Sequence, residues 1–450
     1  MEFFQIPLEV QNNSEPKFIL FRPLLGIAFI GNQRMVALTR QLLTGQQSEQ
    51  TEKRTSQIRP FLEKIGFLEP DPPPPVLPND GLFCPTHTVL LLTNRCQMRC
   101  IYCYAAGGEL PAHDLSLTTA KRAIDIVCEN AAANNQSNFT VSFHGGGEPT
   151  IAWDLLTKCT AYAREKPLQA NISLTSNGVW SEQQCKWIIK HINSISLSMD
   201  GHPAVQDRNR PLANGAPSSQ ILKRTTRLLD ENQKEYGIRM TVIEPWSDLP
   251  ESVAYLFETT QCKGIQVEPA FNTRRGEHAL PNREQAQSFI AAFLDAYTVA
   301  RKHQRSFRYS AARIGHPLRV FCTAPYNTLI VNPEDEVVAC YEITNPDHEL
   351  ANLSNYGSID DKGLSIDQEK RQHLMALMDQ NREKCRDCFC YWSCAGDCYA
   401  RTLSKTPDGA YEKQISRCQI NQTLTKELLL HKISDGNGVA FLFRKAKNNA

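Results

Sequence analysis

Between positions 86 and about 303, short runs rich in Val, Ile and Leu alternate with longer helix-like stretches. The runs at 88–93, 139–143, 171–175, 194–198, 238–243 and 265–268 predict strands. They are nearly continuous in apolar character, as expected of parallel strands buried on both faces. The helix-like segments between and after them lie at 118–131, 154–164, 182–191, 219–231, 251–259 and 284–301. Two carry start signals: Ser181 with Gln184 three residues on, and Asp248 with Glu251. Six strand–helix units in series predict an α/β layer with a parallel sheet, either open or curled into a partial barrel. A flavodoxin-like open sheet would produce the same pattern, so chemistry has to separate the two.

The flanks read differently. Residues 1–70 look like a small separate unit, with Phe18-Ile-Leu-Phe-Arg and Gly26-Ile-Ala-Phe-Ile as two strands about a Pro23 turn, then helices at 33–43 and 58–65. Asp71-Pro-Pro-Pro-Pro-Val-Leu-Pro opens a linker over 71–85, where proline density breaks helix and sheet and makes a semi-rigid spacer. Beyond residue 304 the alternation stops and cysteines crowd among turn-rich segments to about 425, leaving 426–450 as a tail. Such a region builds little core of its own and would depend on metal–thiolate bonds.

Composition narrows the function. The chain has 450 residues, enough for two to four domains, and a formal net charge of +1. That balance argues against nucleic acid as a partner. No run is long and apolar enough to span a bilayer, and no secretory signal is visible, so a cytoplasmic protein is expected. The 16 cysteines are the outlier, and clustered reduced thiols are read first as metal sites.

Cys96-Gln-Met-Arg-Cys100-Ile-Tyr-Cys103 follows the first strand of the series at its carboxyl end, where α/β folds place active sites. Three thiolates can ligate three irons of a cubane and leave the fourth open. Zinc would need a fourth nearby ligand, and the next residues offer neither Cys nor His. The spacing, with Tyr102 before the last Cys, resembles the signature of the radical S-adenosylmethionine (SAM) superfamily. Further segments fall at later strand ends: His144-Gly-Gly-Gly-Glu148-Pro149, Thr175-Ser-Asn177-Gly, and Ser198-Met-Asp-Gly with Arg210 beyond. The resemblance implies that Gly146, Gly147 and Glu148 hold the SAM amino group, and that Asn177, Ser198 and Arg210 hold its ribose or carboxylate. It also implies a partial (β/α)6 barrel, and a [4Fe-4S] cluster on Cys96, Cys100 and Cys103 whose electron cleaves SAM to a 5′-deoxyadenosyl radical.

Cys385-Arg-Asp-Cys388-Phe-Cys-Tyr-Trp-Ser-Cys394-Ala-Gly-Asp-Cys398, followed by Cys418, resembles the SPASM extension of that superfamily, with Cys322 and Cys340 as its upstream cysteines. The resemblance implies two auxiliary [4Fe-4S] clusters, making three in all. Cys385, Cys388, Cys394 and Cys418 would hold one, and Cys322, Cys340 and Cys398 the other, whose fourth position could be open, substrate-bound, or filled by His316 or Cys390. Where the extension usually has Gly, this chain has Asp335; where sulfatase-maturing members have a basic Asp, it has Tyr341, then Glu342. The remaining cysteines read as small apolar residues. A zinc ribbon remains an alternative for the C-terminal cysteines alone.

SPASM-type enzymes mostly modify ribosomally made peptides, so the resemblance implies a precursor peptide as substrate. The winged-helix-like N-terminal unit would bind its leader by strand addition, and a flavodoxin or ferredoxin would supply electrons. The expected reaction is a carbon–carbon (cyclophane) or thioether cross-link, with Tyr341 as a relay or as packing beside the cluster. Epimerisation, excision, decarboxylation or sulfatase-type maturation are alternatives within the class. A non-catalytic iron–sulfur carrier or peptide-binding scaffold is the alternative outside it.

Overall fold

A computed structural model of the chain describes residues 2–9, 15–44, 56–77, 81–343, 346–360 and 363–443. Pro78 of the proline-rich segment and the last seven residues of the expected tail lie outside the described residues.

The central sheet has eleven strands in the order β10-β9-β8-β7-β6-β5-β4-β11-β12-β13-β14. Six are the expected series: β4 (His87–Leu91), β5 (Asn138–His144), β6 (Gln169–Ser176), β7 (Ser194–Ser198), β8 (Tyr236–Val242) and β9 (Gly264–Pro269). All run parallel to their neighbours. One expectation fails here. Of the six, only β4 is buried on both faces, from Thr88 to Leu91; the others alternate, with Phe139, Val141 and Phe143 of β5 buried and Thr140, Ser142 and His144 partly open. β6 and β8 repeat the pattern. Helices cover only the outer face, and the inner face encloses polar space, where His87, Ser142 and Ser173 form a chain of 2.7 and 2.6 Å contacts. Residues at or just beyond the carboxyl ends of β4 through β9 line one cavity, so the sheet curls into a partial barrel.

The helices fall where the pattern puts them, including Leu117–Ala133 and Glu182–His191, the latter opened by the Ser181–Gln184 capping box. Asp248–Thr259 starts otherwise: Asp248 is its first residue, and the capping Ser247 makes no side-chain bond.

Several boundaries dissolve in three dimensions. β10 (Ser306–Tyr309) pairs parallel with β9, and β11 (Thr328–Val331) pairs parallel with β4, so the sheet runs straight across residue 304. β12 (Glu336–Val338), β13 (Asn355–Asp360) and β14 (Gly363–Ile366) extend it antiparallel, and β15 (Leu403–Lys405) pairs with β16 (Tyr411–Lys413) nearby. The C-terminal region therefore borrows the barrel's core instead of relying on metal alone. The N-terminal sheet has four strands, not two, in the order β1 (Phe4–Pro7), β2 (Lys17–Arg22), β3 (Ile27–Asn32), β17 (Val439–Phe441). Its helices are Gln33–Thr44 and Arg59–Lys64.

Helix Cys418–Asp435 crosses residue 425, and its Leu429 and Ile433 pack on Ile6, Ile19 and Phe21 of the N-terminal sheet. The tail thus belongs to the body of the molecule. So does the linker: buried Arg22 pairs with Asp71 at 2.6 Å, Leu77 packs near Tyr326 and Met375, and Arg371 donates to the Gly81 carbonyl at 3.2 Å. It is a strap, not a spacer. Among the described residues no helix is long and apolar enough to cross a membrane.

Candidate active site

The loop after β4 carries Cys96, Cys100 and Cys103 and is held by backbone bonds on two sides. Arg99 N donates to Pro211 O (2.8 Å), Ile101 N to Asn209 O (3.0 Å) and Ala213 N to Gln97 O (2.8 Å). On the other side Gly147 N donates to Thr93 O and Glu148 N to Arg95 O, both at 2.8 Å. A β-carbon on Gly147 would stand 2.1 Å from the Arg95 carbonyl oxygen, so only glycine permits this approach. A third segment closes over the loop: Arg275 donates to the Cys100 and Gly107 carbonyls (2.5 and 3.0 Å), and Gly276 N to Cys103 O (2.8 Å).

The result is a cavity of about 540 Å³ at the carboxyl ends of the strands, within the range of cofactor and ligand sites. Cys96, Cys100, Cys103, Tyr102, Gly146, Gly147, Glu148, Asn177, Ser198 and Arg210 all line it. Tyr102 donates to Asp200 at 2.5 Å, Arg210 donates to the Tyr102 oxygen at 2.8 Å, and Arg210 lies 4.0 Å from Asp200. This buried triad leaves the Arg210 Nε without a partner. The Asn177 amide points its nitrogen at the Cys96 sulfur (3.8 Å) while its oxygen accepts from Val179 N (2.9 Å). Glu148 is less available than its motif suggests. Its carboxylate accepts from Thr150 N and Oγ1, Ser176 Oγ and Asn177 N, at 2.6 to 3.1 Å, and so ties β6 to the glycine loop.

Cys322, Cys340, Cys398 and Tyr341 line the same cavity from the C-terminal region. The Tyr341 ring lies 4.0 Å from that of His144, and its hydroxyl bonds Arg239 on β8. Burial, then the Arg239 charge, lowers His144 to about 3, so its imidazole is neutral. Arg401 grips Glu342 with two bonds (3.0 and 2.6 Å) and reaches Glu268 at the end of β9 (2.6 Å). Burial would raise the Glu342 carboxyl, but the Arg401 charge and hydrogen bonds outweigh it and hold it at about 2. His278 stands 3.7 Å from Glu342. Sequence reasoning missed Arg239, Glu268, Arg275, His278 and Arg401. Only Glu268 had a signal, its place at a strand end.

Cys385, Cys388, Cys394 and Cys418 gather elsewhere; none lines the cavity. Their sulfurs accept from nitrogen donors: Lys413 to Cys385 (3.3 Å), Gln422 to Cys388 (3.5 Å) and Asn421 to Cys394 (3.4 Å). Cys390, a free thiol, is buried beside them, hydrogen-bonded with Cys388 and donating to the Asn421 carbonyl at 3.7 Å. His316 is exposed and stands apart from the cavity wall. Asp335 adopts the left-handed conformation (φ +63°) that glycine would favour, so the turn survives the replacement.

Among the described residues no three Cys, His, Asp or Glu side chains gather about a point where one metal ion would sit. A cubane asks for something else: one thiolate on each of several irons, from a shared wall. Cys96, Cys100 and Cys103 meet that requirement, and the glycine-cradled space and unpaired Arg210 Nε beside them suit an anionic, polar ligand.

The model of the Radical SAM superfamily matches residues 90–256. The chain is 30% identical over 212 residues to the uncharacterized protein MJ0907 of Methanocaldococcus jannaschii, covering 45% of this chain and 70% of that one. It is 21% identical over 337 residues to the serine-type anaerobic sulfatase-maturating enzyme of Klebsiella aerogenes, covering 68% and 77%. The solved structure of native anSMEcpe with bound AdoMet and Cp18Cys peptide superposes with a TM-score of 0.60 at 19% identity, covering 78% and 99%. The chain therefore belongs to the radical SAM superfamily, and is an enzyme of that type whose cofactors are S-adenosylmethionine and a [4Fe-4S] cluster.

Proposed function

We propose that this enzyme modifies a ribosomally made precursor peptide, joining two of its side chains through a carbon–carbon or thioether bond. One observation carries the reading: Cys96, Cys100 and Cys103 on one wall and Cys322, Cys340 and Cys398 on the other face a single cavity. Tyr104 lines the cavity together with both sets. The sulfatase-maturating relative and the peptide-bound neighbour add support for a peptide in that space.

Cys96, Cys100 and Cys103 would hold a [4Fe-4S] cubane, which would supply the one-electron reductive cleavage of SAM needed for hydrogen abstraction from a C–H bond. The chain's own residues do the rest. Arg210, Asn177 and Ser198 orient the nucleotide, and the glycine loop offers backbone atoms at close range. The segment bearing Arg275 and His278 closes the mouth against water. Arg239 fixes the Tyr341 hydroxyl, which puts Tyr341 against the substrate side of the Cys340 set. That set and Cys385, Cys388, Cys394 and Cys418 would hold the two auxiliary clusters. A flavodoxin or ferredoxin in the cytoplasm would donate electrons, and the N-terminal sheet would hold the leader. Sulfatase maturation fits less well: Tyr341 is no carboxylate base, and both Glu342 oxygens are committed to Arg401.

The test is anaerobic incubation of the reduced holoenzyme with SAM and a candidate peptide. The expected result is 5′-deoxyadenosine together with a peptide lighter by two hydrogens per cross-link. Unchanged SAM would overturn the reading. An unchanged peptide mass with inverted stereochemistry would replace cross-linking by epimerisation.

A further inference from the structure

Arginine lines the cavity at five positions, and at four of them it faces a carboxylate. Arg401 reaches Glu268 and Glu342, both at 2.6 Å, and Arg417 lies 3.1 Å from Asp397. Arg210 lies 4.0 Å from Asp200, and Arg275 pairs with Glu109. Arg239 is the exception: among the described residues no carboxylate forms an ion pair with it. Glu268 and Glu342 act on it only at a distance, and their oxygens are engaged by Arg401 and Ser310 N. A guanidinium drawn out of bulk water with no charge against it is unfavourable, and the fork of donors it presents matches a carboxylate.

A second donor converges on the same place. Arg239 leaves the inward face of β8, between buried Ile238 and Met240, and its guanidinium bonds the Tyr341 hydroxyl. Its Nη1 stands 3.5 Å from His144 Nε2. The Nδ1 of that ring accepts from Gly145 N at 2.8 Å, and the ring is neutral, so its one proton is on Nε2. Two N–H donors therefore face each other with no acceptor between them. The Tyr341 ring, 4.0 Å from the imidazole, holds the pair in this arrangement. An oxygen seated about 2.9 Å from both nitrogens would satisfy both.

We propose that Arg239 and His144 form a carboxylate-binding subsite of the cavity, which seats an acidic group of the substrate peptide, either an Asp or Glu side chain or the C-terminal carboxylate. This rests on the peptide-modifying reading and names the chemistry of the substrate that fits it. A carboxylate supplies both things the pair lacks: an oxygen for the two facing donors and a negative charge for the guanidinium. A neutral carbonyl supplies only the first. The carboxylate of SAM is the other source of the same chemistry, because Ser198 stands opposite Arg239 in register. The reach of Arg239 argues for the peptide: its guanidinium meets His144 and Tyr341, beside Cys340, while Arg210 engages Tyr102, beside Cys103.

The probes are three N-acetylated tripeptides: trialanine with a free C-terminus, alanyl-aspartyl-alanine amide, and trialanine amide. Each is titrated into the anaerobic holoenzyme with saturating SAM and without it, and binding is read by saturation-transfer NMR. With SAM present, at least one acidic probe should bind about tenfold tighter than the neutral amide, and which of the two does so identifies the source of the carboxylate. Arg239→Gln should close that gap to under about twofold, and Arg239→Lys should keep part of it, since the charge stays while the fork is lost. His144→Phe keeps a ring against Tyr341 but loses the N–H, and should weaken the acidic probe several-fold. No preference for acid in the wild type, including no binding by any probe, overturns the proposal, as does a preference that survives Arg239→Gln. A preference that vanishes once SAM saturates assigns Arg239 to the nucleotide and overturns it too. Should Arg239→Gln not fold, the wild-type comparison and Arg239→Lys still decide. Binding needs no turnover, so failure here leaves 5′-deoxyadenosine formation and the peptide mass as the separate test of the reaction.

Discussion

Two groups of thiols in this chain sit in different surroundings, one on the cavity wall and one apart from it. The sulfurs of Cys385, Cys388 and Cys394 each accept from a nitrogen donor and lie away from the cavity, in a pocket built by Lys413, Asn421 and Gln422. Cys96, Cys100 and Cys103 line the cavity, where the Cys96 sulfur accepts from Met98 N (3.4 Å) and Asn177 Nδ2 (3.8 Å) and the Arg210 Nε has no partner. A cluster saturated by protein ligands and hydrogen bonds can store or pass an electron, but has nowhere to bind a reactant. A cluster on three thiols with an empty cavity beside it does. Cys322, Cys340 and Cys398 fall between the two, on the wall of the same cavity but contributed by the C-terminal region. On the proposed reading, access to the cavity, more than the number of cysteines, separates a reacting site from a relay.

The sharpest way to break this contrast is to remove each set in turn. Replacing Cys96, Cys100 and Cys103 by Ala should abolish 5′-deoxyadenosine formation and remove about a third of roughly twelve irons. Replacing Cys388 and Cys394 should lower iron by a similar share yet leave SAM cleavage without peptide largely intact. Equal loss of cleavage in both variants would erase the distinction, and a first variant with undiminished iron would show that those thiols hold none.

Next in size is Arg401→Met. It strands the Glu268 and Glu342 carboxylates in a mostly buried place and should cost about 3 kcal/mol in unfolding free energy. Glu342→Gln in the same background should recover part of that loss, because one unpaired charge is gone. Denaturant unfolding of the two variants measures both.

The smallest expected effect belongs to Tyr341→Phe. It removes the hydroxyl bonded to Arg239 but keeps the ring against His144. If Tyr341 only packs, product per 5′-deoxyadenosine should be unchanged. If it relays, that ratio should fall several-fold while SAM cleavage continues.

Much of the candidate site was legible in the sequence because its thiols and glycines lie close together along the chain. Cys96, Cys100 and Cys103 lie within one loop, and Gly147 is needed wherever two loops touch backbone to backbone. The strand ends carrying Asn177 and Ser198 followed from the β–α alternation. The residues that escaped have no local pattern. Arg239 sits mid-strand, Arg401 is one turn past a cysteine, and His278 and Arg275 lie in an irregular segment; each matters only for what faces it across the cavity. The two-sided burial expected of the strands holds for β4 and fails for β5 to β9 for the same reason. Hydrophobic runs report that a strand is buried, but not that the sheet curls and hides a polar interior.

The order of elements, the thiol spacing and the glycine loop are set by nearest neighbours along the chain, and the sequence by itself determined them. Which thiols share a cavity, which lie apart from it, and that residues 439–441 complete a sheet begun at residue 4, only the tertiary structure decided. Such contacts join positions hundreds of residues apart, and their energy comes from burial and pairing that no short stretch of sequence contains.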